Sequence, residues 1–444
     1  MFTTAQHIRF LCPETFHFFN MRPLVSLILA LVAYPATAAN PVSLARVPAF
    51  TEGLSVARLA RVDNLIQGAI ESGAYLGAVT LISRNGKIVH ARALGNRDLA
   101  GKTPMTRDTI FRIYSMTKTV TSVALLMLME EGKLSLDDPV SKFIPAFAKT
   151  NVFAGGSAES PQSRVPKRPI TIRHLLTHTG GFATRGEQDG VAGILFNRFD
   201  PHESPTLAAY TGYVAKQLLA SDPGERFSYD GVSIEPVSHL IEVVSGMSFD
   251  AFLQQRILTP LKMHDTGFRV SSAKRNRVAD MVTTTADGRL ALAATKDANN
   301  PGEPLNNYPS GAGGLYSTAN DYFRFCQMLL NGGSLDGIAI LGRKTVDLMM
   351  MNQLAAVNVP EGALGKGEGF GLGGYVVVDA AQRGRAGSPG QFGWSGAGST
   401  YFTIDRQEKL IAILLMQHLP QGLANDPPKM SARFYNTVYQ SLAH

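Results

Sequence analysis

The stretch Phe111-Arg112-Ile113-Tyr114-Ser115-Met116-Thr117-Lys118 opens a nearly all-apolar run that continues to Met129 and closes at Gly132. The run has helical spacing, and a helix that is apolar all round is a buried one. Ser115 and Lys118 stand at i and i+3 and therefore share a face. In the first turn, Ser115 also lies near the positive end of the helix dipole. A lysine buried there is desolvated, which favours its neutral amine, the form able to act as a base toward a neighbouring hydroxyl. Taken alone, Ser-x-x-Lys equally fits an N-cap serine followed by a surface lysine.

The apolar positions Leu54, Leu59, Val62, Leu65, Ile66, Ala69 and Ile70 repeat with helical spacing and end at Gly73. Ala78–Ile82 and Lys87–Ala91 flank Arg84-Asn85-Gly86, a hairpin signal. Toward the other end, Tyr375–Val378, Tyr401–Ile404 and Leu410–Met416 read as strands, and Ser431–Leu442 as an amphipathic helix. The chain between, roughly 115–335, is mostly helical pattern with Gly/Pro loops. Ala154–Pro169 is poor in apolar residues and reads as an exposed insertion. Strands at both ends with helices between predict an α/β fold of the α+β type, with an antiparallel sheet built from both termini and flanked by helices. Residues 39–140 and 330–444 are expected to form a discontinuous sheet domain, and 141–329 an inserted, mostly helical region.

Composition narrows the function classes. The chain has 444 residues, enough for two or three domains at about 150 residues each. Apolar residues are 45% and charged residues 17%, which suits a folded chain. The net charge of +7 is spread thinly, and Arg164–Arg173, broken by Pro166 and Pro169, reads as a solvated loop, so no nucleic-acid partner is expected. Two cysteines, Cys12 and Cys326, exclude a disulfide scaffold and a Cys-built zinc site. Met21-Arg22-Pro23, the apolar run Leu24–Tyr34 and Ala36-Thr37-Ala38 make a secretory signal, too short in its apolar part to span a bilayer. Residues 1–20 read as an over-extended start ahead of a true start at Met21. An exported, periplasmic protein without a membrane anchor is expected. Gly369-x-Gly371-x-x-Gly374 runs into a strand and not a helix, so it is no dinucleotide site. His174 and His178 lack the Glu of a zinc-protease helix, and G-x-S-x-G is absent. No cofactor and no metal are called for.

Two further motifs complete the pattern. Pro223-Gly224-Glu225-Arg226-Phe227-Ser228-Tyr229-Asp230-Gly231 puts a tyrosine on a turn before the helical run Ile234–Val244. Phe392-Gly393-Trp394-Ser395-Gly396-Ala397-Gly398-Ser399-Thr400 leads into a strand, and small residues on a strand let another backbone or a ligand approach closely. Singly, these fit a packed surface aromatic and a tight β-turn. Together, in this order, they resemble the serine β-lactamase / penicillin-binding-protein superfamily, in particular its class-C-like serine hydrolases and family VIII carboxylesterases. Thr171–Gly181, Gly311–Ala319 and Gly369–Gly373 resemble it too, and the likeness covers roughly residues 55–440.

That resemblance implies a β-lactamase/transpeptidase-like fold and an acyl-enzyme mechanism. Ser115 would be the nucleophile, Lys118 would assist its deprotonation, and Tyr229 would shuttle protons. Which of Lys118 and Tyr229 is the acylation base stays open. The backbone N–H groups of Ser115 and Ala397 would form the oxyanion hole, and Trp394, Ser395 and Gly396 would bind substrate. Two departures bear on that substrate. The lactamases and peptidases carry Tyr-x-Asn where this chain has Tyr229-Asp230-Gly231, and Lys-Thr-Gly where it has Trp394-Ser395-Gly396. A tryptophan supplies apolar area and no charge, so a substrate with an essential carboxylate loses its anchor. The expected substrate is a small-molecule ester with a short-to-medium acyl chain. A β-lactam, D-amino-acid peptide or other amide is the alternative, and a non-catalytic peptide binder a third possibility. Loops 151–168 and 185–210 are expected to shape the pocket mouth.

Overall fold

Asn85 and Gly86 both take positive φ, 52° and 78°, the geometry a two-residue hairpin turn requires. They join β1 (Gly77–Arg84) to β2 (Lys87–Gly95), as the Asn-Gly signal predicts. The computed structural model describes residues 44–184, 189–198 and 200–443, so the signal segment at 21–38 lies outside the described residues. Five more strands complete the sheet: β3 (Glu368–Phe370), β4 (Tyr375–Val377), β5 (Phe392–Gly396), β6 (Thr400–Asp405) and β7 (Leu410–Leu415). Their order is β3-β4-β5-β6-β7-β1-β2, with every pairing antiparallel. The sheet is thus built from both ends of the chain. Val79 pairs with Leu415, and Ser83 with Ile411.

β7 explains how the layers assemble. Its residues are continuously apolar, yet successive side chains point to opposite faces. Leu410, Ala412 and Leu414 pack with Leu59, Val62 and Ile66 of α1 (Val56–Glu71) and with Phe434 and Val438 near the C terminus. Ile411, Ile413 and Leu415 face the larger core, which holds Val120, Val123 and Ala124 of α2 (Thr117–Glu130). Both faces are covered, so both sets of alternating positions are apolar. Residues 39–444 form one compact unit.

Between β2 and β3 run most of the helices. Among them is α3 (Ile234–Ser245), ended by Gly246 at φ 73°, and α4 (Ala319–Leu330), capped by the Thr318 side chain. The terminal helix α5 (Ser431–Tyr439) returns to α1, where Gln440 Nε2 donates to Arg58 O at 2.7 Å. The stretch read as an exposed insertion, Ala154–Pro169, is largely exposed and also carries secondary structure. Val152–Gly156 and Pro161–Arg164 pair as a hairpin in which only Val152 is buried. Among the described residues, no helix is long and apolar enough to cross a membrane.

Candidate active site

Phe111–Arg112 pairs with Tyr316–Ser317 in a short ladder. Arg112 fixes that ladder from inside the core. Its guanidinium lies 3.9 Å over the Tyr316 ring and donates to the Gly314 carbonyl at 2.9 Å. The chain then bends through Tyr114, at φ 41°, into a 3₁₀ turn, Tyr114–Met116, before α2 begins at Thr117. Ser115 therefore sits in the tight turn ahead of the α-helix and not in the helix's first turn. Leaving an extended pairing so abruptly needs the tighter coil. The i, i+3 spacing still brings the side chains together, with Lys118 Nζ 3.2 Å from Ser115 Oγ. Lys118 is 3% exposed, and Nζ also donates to Ala312 O at 2.7 Å.

The Trp394 strand reaches this turn because of two glycines. A Cβ on Gly396 would lie 2.3 Å from Ile113 O, and one on Gly398 would lie 3.1 Å from the Tyr114 ring. The small residues expected to permit close approach do so here, Gly396 against a backbone and Gly398 against side chains. Gln417, just past β7, seals the same junction, accepting from Arg112 N at 2.6 Å.

Tyr229 stands on the third side, with its ring centroid 5.3 Å from Lys118 Nζ. Its hydroxyl accepts a hydrogen bond from Trp394 Nε1 at 3.3 Å. Beneath it lies the buried ring of His178, at a centroid distance of 4.7 Å. His178 Nδ1 is 3.5 Å from Asp230 Oδ2. Asp230 is buried and turned away from the pocket, accepting from the N–H groups of Val232 and Ser233 at the start of α3. Burial raises its carboxyl, but His178 and the Ser233 hydrogen bonds outweigh that and hold it below the usual range. The residue after the motif tyrosine therefore supports the turn instead of facing substrate.

A pocket of about 540 Å³ is lined by Ser115, Tyr229, Trp394, Ser395, Gly396 and Ala397, with Lys118 directly behind Ser115. The remaining wall holds Tyr75, Tyr401, His418, Leu419 and Lys429, which sequence reasoning did not single out. Neither 151–168 nor the described part of 185–210 lines this pocket, whereas residues of the segment after β7 do. Residues 185–188 and 199 lie outside the described residues. Long-range pairings deliver residues 418–429 to the site, β7 with β1 and β6 and then His418 N to Gly398 O and Leu419 N to Val282 O, which is why local pattern does not mark them. Among the described residues, no group of three or more His, Cys, Asp or Glu side chains could hold a metal ion. Chemically, the pocket offers a hydroxyl in contact with an amine and a phenol beside both.

The Beta-lactamase family matches residues 62–431. The chain belongs to that family. An uncharacterized protein of Mycobacterium tuberculosis is 33% identical to it over 365 residues, 80% of this chain and 89% of that protein. Esterase EstB of Burkholderia gladioli is 27% identical over 386 residues, 82% of this chain and 92% of the esterase. Among solved structures, EstCE1, described as a hydrolase with promiscuous acyltransferase activity, superposes with a TM-score of 0.70 at 26% identity, covering 88% of this chain and all of that one. This β-lactamase-family chain is a serine hydrolase of the serine β-lactamase / penicillin-binding-protein superfamily, with the fold that its three motifs imply.

Proposed function

We propose that the protein is an exported carboxylesterase that cleaves short- to medium-chain acyl esters through an acyl-enzyme on Ser115. Ser115 Oγ attacks the ester carbonyl while the Lys118 amine takes its proton. Tyr229 passes a proton to the departing alcohol, and water then releases the acid by the reverse path. The N–H groups of Ser115 and Ala397 receive the developing oxyanion, a contribution of about 3 kcal/mol for each donor.

One observation carries the ester assignment. The third-motif side chain beside Tyr229 is an indole, packed edge-on against Phe370 at 5.0 Å and bonded to the tyrosine hydroxyl. The strand itself carries no cation at that position, and the nearby Arg385 comes from another segment and is paired with Glu368. The pocket's lysine, Lys429, belongs to the segment after β7 and is exposed. The names of EstB and EstCE1 agree with this reading.

A hydrogen bond to a charged group is worth about 1.5–3 kcal/mol, so a carboxylate-bearing cephalosporin should trail a butyrate ester by about 10- to 100-fold in kcat/KM. Chromogenic assays of both substrates test this. Cephalosporin turnover above ester turnover overturns the substrate class, and failure of a fluorophosphonate probe to label the protein favours the peptide binder. Export is tested by N-terminal sequencing of the secreted form, expected to begin just after Ala38.

The indole also holds Tyr229. Trp394→Phe keeps an aromatic ring, smaller than the indole, and loses the N–H, so ester kcat/KM should fall by at least about 3- to 10-fold, the worth of one neutral hydrogen bond. Unchanged kinetics would mean that the Trp394 Nε1 contact does not orient Tyr229.

A further inference from the structure

A second acidic group approaches the site from the core. Glu235, the second residue of α3, is fully buried. Its carboxylate accepts from Ser310 Oγ at 2.5 Å, from Gly311 N at 3.0 Å and from the Ala312 N–H. The next atoms along that backbone matter most, because Ala312 O accepts from the Lys118 Nζ that contacts Ser115 Oγ. Glu235, the 310–312 backbone, Lys118 and Ser115 thus form one unbroken line of contacts.

The 310–312 segment is wedged between α2 and α3. A Cβ on Gly311 would fall 1.9 Å from Ser238 Oγ, and Gly311 O accepts from Thr121 Oγ1 at 2.8 Å. Such a segment needs a glycine, but it does not need a carboxylate, which is a costly group to bury. Burial pushes the Glu235 carboxyl up to about 7, against the pull of Ser310, Lys118 and the two backbone N–H groups. The charged and titratable groups facing it are Lys118 from α2 and Tyr308 from the loop before Ser310.

We propose that Glu235 is a positioning residue for acylation: by gripping residues 310–312 it places the Ala312 carbonyl so that Lys118 Nζ is aimed at Ser115 Oγ. The inference rests on the reading of Ser115 as nucleophile and Lys118 as its base. In Glu235→Gln, the amide must turn an N–H toward one of its donors, and the grip loosens. Ser310→Ala removes one donor and keeps the carboxylate.

The test follows labelling of the full chain by a fluorophosphonate, together with kcat and KM for a butyrate ester. Folding is checked by circular dichroism. Misplacement by a fraction of an ångström to an ångström predicts labelling and kcat about 10- to 100-fold slower in Glu235→Gln, with KM within about twofold. Ser310→Ala should be slower by about 3- to 10-fold. A folded Glu235→Gln protein that labels at the wild-type rate overturns the proposal, as does a change confined to KM. If Glu235→Gln does not fold, Ser310→Ala decides alone. Wild-type protein that resists labelling, or a Ser115→Ala variant that still labels, rejects the nucleophile itself and is thereby told apart from failure at Glu235.

Discussion

Ser115→Ala is expected to lower ester turnover by about 10⁴-fold or more, the scale seen when a serine nucleophile is removed from a hydrolase. Alanine deletes one oxygen and leaves no cavity of note. The folded state loses only the contact from Lys118 Nζ, a net effect of about 1 kcal/mol. Thermal unfolding should therefore barely move while turnover collapses. Steady-state rates on the butyrate ester give the first measurement, and mass spectrometry of protein quenched during turnover gives the second. The acyl adduct should map to Ser115 in the wild type and vanish in the variant. Ester turnover that survives in Ser115→Ala would show that another group attacks the carbonyl.

Lys118 carries the second large effect. Lys118→Met keeps most of the buried stem and removes the amine, so the rate should fall by about 10²- to 10⁴-fold, the usual span for loss of a general base. Here stability should suffer as well, because Ala312 O loses its donor and a buried carbonyl left unpaired costs about 1–3 kcal/mol. Lys118→Arg separates charge from basicity. Arginine can still donate to Ala312 O, but it does not give up its proton, so it should recover stability and not rate. An arginine variant that turns over ester as fast as the wild type would assign Lys118 an electrostatic role and leave Tyr229 as the base.

How far the sequence reached depended on how local each feature is. Ser115 and Lys118 were legible because both lie within one turn of chain, where i, i+3 spacing carries the geometry. The β1–β2 hairpin was legible from Asn85-Gly86, whose residues tolerate positive φ. The 3₁₀ turn at Tyr114–Met116 was not, since what forces it is the pairing of Phe111–Arg112 with a distant strand. Glu235 reads in sequence as one polar residue in a helical run. Its partners Ser310 and Gly311 lie far along the chain, and no local pattern joins them. The pocket wall at 418–429 escaped for the same reason, as did the support of Tyr229 by His178, which the sequence marked only as lacking the Glu of a zinc site.

The place where β1 meets β7 has a consequence for how the molecule comes into being. The two strands lie inside the sheet, not at its margin, yet they come from opposite ends of the polypeptide. As the chain emerges, β1 and β2 can close on each other at once, while the other edge of β1 waits for nearly the whole remaining sequence. Closing so long a loop defers the reward of that pairing, and an open strand edge is meanwhile a template for other chains. The last strand to be made thus joins the halves of the sheet and carries Gln417 and His418 into place. A chain cut short before Leu410 would lose the middle of the sheet and the far wall of the pocket together.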